Sequence, residues 1–350
     1  MKNGNSLAKL FQKKSAWVVL VLAVLLAVLP LFIKNKFVIS TLVYSFLFAS
    51  FGVAWNIIGG YGAQISWCHS AFAACGAYTT FLFYYYLGIS PFFTMPVGML
   101  IAYLMATLIG RGTFKLRGSF FSLSTIAFAE IVKICLLHFK DFTGGSSGRW
   151  IAYDGDNFLK LSFGTDVPFY YIGMVLLILV VGATAFFHKT KTGYYLGAIK
   201  GDEDAATTLG IETFRVKLTA FQVSAVMTSV VGAIYACFLT YIDPYAICSL
   251  DLSVKIGMTA IVGGVGTLWG PVLGAFVLQP LTQLSNTLFS NISGASMLMY
   301  AVILILVVLF KPNGLITLFD KRERHGGRLS KVHDAIFRKK QEGEVKKDAK

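Results

Sequence analysis

The chain has 350 residues, of which 56% are hydrophobic and only 14% charged, with a formal net charge of +14 and a mean hydropathy of +0.68. These values exclude a single soluble core and are typical of a protein that lies mostly in lipid. The five cysteines have no CxxC spacing, which argues against a disulfide framework or a zinc site, and we predict no cofactor.

Apolar runs of about 20 residues, the length that a bilayer core demands, predict an all-α polytopic transmembrane helical bundle with eight to ten spans. The candidate spans are residues 17–33, 37–58, 67–87, 92–109, 120–139, 168–187, 218–241, roughly 242–262, 268–284 and 294–310. The run 242–262 is the weakest, because Asp251 and Lys255 interrupt it, and we expect a short or broken helix there. Residues 17–318 are thus predicted to form one transmembrane domain.

The two ends of the chain and the loops differ in charge. Residues 1–16 carry four lysines and no acid, and the tail 319–350 carries eleven Lys or Arg against six Asp or Glu. The positive-inside rule predicts that both ends and the loop 188–217 are cytoplasmic and that the loop 140–167 lies outside. Membrane lipid or a partner surface explains the basic tail more simply than nucleic acid does.

A stretch of glycines and polar residues, NIIGGYGAQISWCHSAFAACGAY at residues 56–78, separates the second span from the third. Backbone that leaves the helix at membrane depth must be buried in protein or line a watery path. We therefore predict that Asn56, Gln64, Ser66 and His69 line a substrate pathway. The alternative for His69 is a buried histidine that the protein's own groups satisfy, and no ligand spacing suggests a metal site.

Two charged residues, Glu130 and Lys133, lie three positions apart on the fifth predicted span and can form a pair on one helix face. Charges at the centre of a membrane helix cost about 2.5–3.5 kcal/mol, so they usually face a bundle interior or a cavity. Glu130 is therefore predicted to belong to the pathway. A structural tether between helices is the alternative, and Lys133 can also extend toward the membrane surface.

The predicted cytoplasmic loop 188–217 contains DAATTLG, which resembles the EAA-x-x-x-G loop of ABC importer permeases, with Asp204 in the Glu position. We predict that this segment contacts an ATP-binding subunit. An amphipathic connector between spans is the alternative. The chain has no GxxxxGK[ST] sequence, so any ATP is bound by another subunit. The predicted coupling residues are Glu203, Asp204, Ala205, Ala206 and Gly210.

A second interruption, IVGGVGTLWG at residues 261–270, repeats the Gly-Gly-x-Gly pattern of the first. Paired glycine-interrupted segments in corresponding parts of a membrane protein point toward a transport pathway. We predict that Gly263 and Gly264 lie beside that pathway.

Six segments in order resemble the branched-chain amino-acid permease family of ABC importers, in particular its LivM-type subunit, over roughly residues 38–316. They are residues 56–78, 116–131 (LRGSFFSLSTIAFAEI), 143–148 (TGGSSG), 199–221 (IKGDEDAATTLGIETFRVKLTAF), 261–275 (IVGGVGTLWGPVLGA) and 310–315 (FKPNGL). The family more often has GQISLGH in the first segment, where this chain has Ala63 before Gln64 and Trp67-Cys68 before His69.

The resemblance implies a transporter subunit and not an enzyme, in the cytoplasmic (inner) membrane of a bacterium or archaeon. It implies four kinds of partner: a second permease subunit, two ATP-binding cassette subunits, a periplasmic or extracellular substrate-binding protein, and membrane lipid. Family substrates are mainly Leu, Ile and Val, with urea and short amides carried by close relatives. The alternative function is a self-sufficient secondary transporter or channel that uses Glu130, Lys133 and His69 for ion coupling.

Overall fold

The helices of this chain form one bundle whose long members run between two ends. The computed structural model describes residues 25–289, except 34, 117, 152 and 154, together with 298, 301, 302, 304, 305, 309, 311 and 314–318. The predicted N-terminal segment 1–16, residues 17–24 of the first predicted span, most of the span 294–310 and the tail 319–350 lie outside these residues. The helices are α1 Lys36–Asn56, α2 His69–Leu87, α3 Pro91–Thr113, α4 Ser119–His138, α5 Lys140–Thr143, α6 Val167–His188, α7 Lys191–Gly201, α8 Glu203–Thr208, α9 Thr213–Leu239, α10 Pro244–Ile247, α11 Leu250–Gly263 and α12 Gly270–Leu288.

Helix α1 lies at the centre of the bundle, and 15 of its 21 residues are buried. It packs against α6, α9, α11 and α12. Its buried hydroxyls are satisfied locally, because Ser45 Oγ and Ser50 Oγ donate to the carbonyls of Thr41 and Phe46. A π-helical turn, Ile57–Tyr61, directly follows α1 and extends it by five residues. A helix that is apolar on all sides can thus be enclosed by neighbours without leaving polar groups unpaired.

Helix α4 is the opposite of α1. It has only three buried residues out of 20, namely Phe121, Thr125 and Ala129. Its neighbours in the bundle are α2 and α3 and, on another side, α10 and α11. Most of the surface of α4 therefore faces away from the part of the chain that the structure describes.

Helices α2, α3 and α9 pack closely through small residues. A Cβ at Gly76 on α2 would lie 1.9 Å from the Ser229 carbonyl oxygen on α9, and a Cβ at Gly232 on α9 would lie 2.3 Å from the Ala73 carbonyl oxygen. On α3, a Cβ at Gly98 would lie 3.1 Å from the Gly76 Cα. Because apolar side chains gain nothing by leaving lipid, membrane helices rely on such close backbone approach for packing energy.

Six of the described helical segments are long and apolar enough to cross a membrane: Lys36–Tyr61, Pro91–Thr113, Ser119–His138, Val167–His188, Thr213–Leu239 and Pro244–Gly263. Two further helices of the bundle, α2 and α12, have 19 residues each and carry more polar side chains. The all-α polytopic membrane fold predicted from composition is confirmed. The region 242–262 is broken as expected, since α10 ends at Ile247 and α11 begins at Leu250.

The two ends of the bundle differ in structure. At one end, strand β1 (Arg149–Trp150) pairs antiparallel with strand β2 (Tyr241–Ile242), which joins the loop after α5 to the end of α9. At the other end, α6 is followed by the two short helices α7 and α8, which lie between α6 and α9. Because α6 runs from the first end to the second, the strand pair and the short helices lie at opposite ends of the bundle.

Because α2 and α9 approach each other closely, one methyl group added between them should strongly lower the stability of the protein. Gly76→Ala should destabilise the protein by about 1–3 kcal/mol, because the added Cβ must push α9 away. Gly182→Ala on α6 is the matched control, since a Cβ there meets nothing within 4 Å, and it should be neutral or slightly stabilising. Thermal unfolding of the two variants in detergent measures the difference. Equal midpoints would contradict the packing described.

Candidate functional site

The two glycine-rich interruptions, about 200 residues apart in sequence, lie against each other. Asn56, the last residue of α1, joins them: its Nδ2 donates to the Thr267 carbonyl at 2.8 Å, and its Oδ1 accepts from the Gly266 N–H at 2.8 Å. Asn56 is only 1% exposed. One amide side chain therefore satisfies both a donor and an acceptor of the non-helical backbone that follows α11.

Glycine is required where the two interruptions touch. A Cβ at Gly60 would lie 1.8 Å from Asn56 Oδ1 and 2.6 Å from the Gly266 nitrogen. Gly264 and Gly266 have φ angles of 135° and 76°, which side chains with a Cβ rarely adopt. Within this second turn, Thr267 Oγ1 donates to the Gly264 carbonyl and accepts from the Gly270 N–H. The contact thus depends on backbone packed directly on backbone.

Residues 62–68 form the non-helical part of the first interruption, and side chains of other helices satisfy its backbone. The Ile65 carbonyl accepts from Ser122 Oγ, and the Trp67 N–H donates to Thr125 Oγ1, both on α4. The Ser66 carbonyl accepts from Trp55 Nε1 at 2.7 Å. These bonds replace those that a helix would supply, as membrane-depth backbone requires. The segment begins after the π-helical turn, so Gly59 and Gly60 remain helical.

This segment, together with α4 and α11, forms one open face of the bundle, which we call the α4–α11 face. Ile65 is 45% exposed and Gln64 is half-buried. On the α11 side, the Trp67 ring lies against Gly257, where a Cβ would approach it to 2.8 Å. The non-helical backbone is therefore not covered by other described parts of this chain.

Two ion pairs lie on the same face. On α4, Lys133 Nζ is 2.6 Å from Glu130 Oε1, and on α11, Lys255 Nζ is 2.6 Å from Asp251 Oδ2. The side chains of both acids are about half exposed, at 50% and 51%. Cys248, just before α11, donates its thiol to the Ala129 carbonyl beside Glu130, which ties the two helices together. In contrast, the exposed outer surface of α6 between Val175 and Phe186 is apolar.

Ser66, within the segment 62–68, and His69, at the start of α2, are both fully buried. Ser224 Oγ donates to the Ala54 carbonyl at 2.7 Å, so it accepts from His69 Nε2–H at 2.8 Å. This arrangement leaves His69 Nδ1 unprotonated and without a hydrogen-bond partner among the described residues. No group of three or more His, Cys, Asp or Glu within those residues could hold a metal ion.

The short helices α7 and α8 are fastened to the same interruptions. Lys200 Nζ on α7 donates to the Gly60 carbonyl at 2.8 Å, and a Cβ at Gly266 would lie 2.7 Å from that ammonium. The His188 ring stacks on Tyr61 at 4.6 Å. On α8, Glu203 Oε2 lies 2.5 Å from Lys217 Nζ, a lysine of α9 that is only 3% exposed. Displacement of α7 would therefore act directly on both interruptions, and displacement of α8 would act on α9.

The predicted coupling residues lie on α8 and the turn after it. The Asp202 side chain caps α8 by accepting from the Asp204 and Ala205 N–H groups. Ala206 is buried, whereas Asp204, Ala205 and Gly210 are exposed, and Gly210 has a φ of 83° with open space around it. Leu209 is 81% exposed at the tip. A small, capped helix thus presents an apolar side chain away from the bundle.

The predicted pathway residues divide into two groups. Gln64 and Glu130 reach the α4–α11 face, whereas five are buried behind it: Asn56, Ser66, His69, Gly263 and Gly264. A pathway role for any of them stays a prediction. Sequence reasoning missed Lys200, Lys217 and Asp202. Asp202 could have been found, because an Asp just before a helical run is a helix-capping signal, but the partners of the two lysines are distant in sequence.

The Asn56 bridge predicts a specific loss of stability. Asn56→Leu leaves the Gly266 N–H and the Thr267 carbonyl without partners, at a cost of about 1–3 kcal/mol for each buried group. Asn286→Leu, at an exposed position of α12, is the control and should change little. Thermal unfolding in detergent, followed by tryptophan fluorescence, compares the two. If Asn56→Leu lowers the thermal stability no more than Asn286→Leu does, the bridge does not hold the interruptions together.

Comparisons with known proteins agree with this arrangement. The chain is 25% identical to the high-affinity branched-chain amino acid transport system permease protein LivM of Escherichia coli over 85% of this chain and 74% of that protein. It is 24% identical to the LivH permease of Salmonella typhimurium over 77% of this chain and 91% of LivH. An autoinducer 2 import system permease, LsrC of Photorhabdus luminescens, is 27% identical over 39% of this chain and 43% of its own length. No solved structure matches the chain significantly. The model of the family "Branched-chain amino acid transport system / permease component" matches residues 37–308, and the chain therefore belongs to that family.

Proposed function

We propose that this permease subunit of an ABC importer moves a small amphipathic solute along its α4–α11 face. The solute that we favour is an aliphatic amino acid. The observation that carries the proposal is the combination of uncovered non-helical backbone at Gln64 and Ile65 with two ion pairs on one face. Family members are transporter subunits and not enzymes. This membership favours a multisubunit importer over a self-sufficient channel or secondary transporter.

The cost of charge in lipid supports this choice of face. A charged side chain at the centre of a membrane helix costs about 2.5–3.5 kcal/mol on insertion scales, and such residues almost always face protein or water. Glu130 lies near the middle of α4, and Asp251 and Lys255 lie in the first two turns of α11. Lipid contact along this face would be costly, whereas a second permease subunit and a narrow aqueous seam between the subunits would accommodate both ion pairs.

We infer that a second, related permease covers the α4–α11 face, so that each subunit lines one side of the path. The LivM and LivH relatives are both permease proteins of branched-chain amino acid transport systems, which supports a pair of non-identical permeases. Switching between inward-open and outward-open forms is then a shift between two populated states. Each state is stabilised by its own contacts to ATP-binding subunits and binding protein.

The substrate proposal rests on relatives and on the character of the face. Leucine, isoleucine and valine combine an apolar side chain with a zwitterionic head, and the face combines Ile65 and Trp67 with Glu130 and Lys133. Urea, short amides and the autoinducer 2 carried by LsrC-type systems are the alternatives in this family. The Trp67 ring, which lies against Gly257, narrows the face where a smaller residue would leave more room.

The coupling segment is proposed to dock an ATP-binding subunit through α8. Leu209 supplies an exposed apolar contact, and the backbone turn at Gly210 leaves the surface open. Inward from this contact, Lys200 carries displacement to the interruptions and the Glu203–Lys217 pair carries it to α9. In this orientation α7, α8 and both chain termini lie on the cytoplasmic side of the inner membrane, and the β1–β2 end receives the external binding protein.

A labelling experiment tests the proposed path. Ile65→Cys lies on the α4–α11 face, and Leu179→Cys, 64% exposed on α6, lies on an apolar surface of the bundle. In the assembled transporter, with Cys135→Ser as the background, a small charged thiol reagent should modify Ile65→Cys about tenfold faster or more, because thiolate formation and reagent entry need water. The rate should also change when ATP is added. Equal rates at the two positions, in every state of an active transporter, would place the path elsewhere.

Loss of the Lys200 contact should uncouple transport from ATP hydrolysis. A hydrogen bond from a charged donor is worth about 1.5–3 kcal/mol, so Lys200→Met should lower solute uptake about tenfold or more while the ATPase rate of the assembled complex changes little. Lys191→Met, at an exposed position at the start of the same helix, is the matched control and should transport normally. Parallel losses in both variants, or unchanged uptake in Lys200→Met, would rule out this route of coupling.

A further inference from the structure

The sixth segment of the family resemblance, residues 310–315, has no place in the proposed path or in the contacts of α7 and α8. Its described part continues into a short 3₁₀-helix, Leu315–Leu318, which packs against α11 and α12. The Gly314 N–H donates to the Lys311 carbonyl at 2.9 Å, and the Thr317 hydroxyl donates to the Gly314 carbonyl at 2.9 Å. These bonds hold residues 314–318 together as one unit, which we call the 314–318 turn.

The 314–318 turn lies directly on the second interruption. Gly314 has a φ of 84°, and a Cβ there would lie 2.5 Å from the Gly264 Cα and 2.6 Å from the Gly264 nitrogen. In the other direction, a Cβ at Gly264 would lie 2.5 Å from Ile316 Cγ2 and 3.2 Å from Ile316 Cβ. The methyl group on the Cβ of Ile316 therefore covers the Cα of Gly264.

The second interruption thus has two sets of neighbours. At Gly266 it faces Gly60 and the Lys200 ammonium, and two residues earlier, at Gly264, it faces the 314–318 turn. Packed protein interiors are hard to compress and transmit strain. A displacement that arrives through Lys200 can therefore shift the interruption only if the contact with the 314–318 turn breaks or the turn moves along.

The chemistry of Ile316 suits the second of these two outcomes. A β-branched side chain is stiff at χ1, so it holds its Cγ2 methyl in one place over Gly264. We propose that Ile316 is a positioning residue for coupled transport, and that this methyl makes the second interruption and the 314–318 turn move as one unit. The proposal rests on the ATP-driven switching proposed above, but it does not depend on which face carries the solute.

Two conservative substitutions separate the role of this methyl from that of general packing. Ile316→Val keeps a methyl at the Cγ2 position, whereas Ile316→Leu keeps the apolar volume but moves the branch one carbon farther from the backbone. Both variants should fold and assemble, because hydrophobic exchanges of similar volume are tolerated best. Ile316→Val is therefore the matched control for Ile316→Leu.

Movement of the interruption is measured with Val265→Cys, since Val265 lies between Gly264 and Gly266 and is 40% exposed. In the assembled transporter, with Cys135→Ser as the background, its rate of reaction with a small charged thiol reagent should change about fivefold on addition of ATP. Ile316→Val should retain this change, and Ile316→Leu should lose most of it. Solute uptake per ATP hydrolysed should fall about fivefold in Ile316→Leu alone. A purely structural role would lower the amount of active complex and leave this ratio unchanged.

Equal behaviour of the two variants would overturn the proposal, whether both keep the ATP response of Val265→Cys or both lose it. An active transporter in which the rate at Val265→Cys never responds to ATP would also overturn it, because the interruption then does not move. The labelling of Ile65→Cys decides the solute path separately. A wrong path and a wrong positioning role therefore give different results.

Discussion

The amide of Asn56 connects the parts of this structure that matter for its function. Its two hydrogen bonds, to Gly266 and Thr267, hold the turn after α11 against the end of α1. Because α1 is the central helix, the position of this turn fixes where α12 begins. The same contact brings Gly60 beside Gly266, which creates the small space that the Lys200 ammonium occupies. A single buried side chain thus sets the relation between the core and the short helix α7.

The open segment 62–68 shows how a membrane protein maintains irregular backbone. Three of its backbone groups are bonded by the side chains of Ser122, Thr125 and Trp55. At its two ends the Gln64 N–H donates to the Ile58 carbonyl and the Cys68 carbonyl accepts from the start of α2. At Ala63 the chain takes a φ of 51°, a conformation that costs a residue with a Cβ about 1–2 kcal/mol. The family more often has glycine there. Ser122 and Thr125 of α4 therefore have a structural role, which is to bond the backbone of this segment.

Sequence reasoning predicted the membrane fold and located the two glycine-rich interruptions, because hydropathy and glycine spacing are local signals. It could not separate Gln64, which reaches the open face, from Asn56, Ser66 and His69, which lie behind it. All four are polar residues in one short segment. Which of them is buried depends on Ser224 and Thr267, partners more than 150 residues away. The role of Lys200 was hidden for the same reason.

The shallow burial of α4 also bears on how the complex is made. With three buried residues, this helix gains little from its own chain, and a newly inserted subunit without its partner would present Glu130 and Asp251 to lipid. Such a subunit would be held together less firmly at α4 than at α1, and local opening of weakly packed elements exposes chains to proteases. Unpaired copies would then be removed faster than assembled ones. If a second permease covers this face as proposed, the same polar residues would thereby limit the number of unpaired copies in the cell.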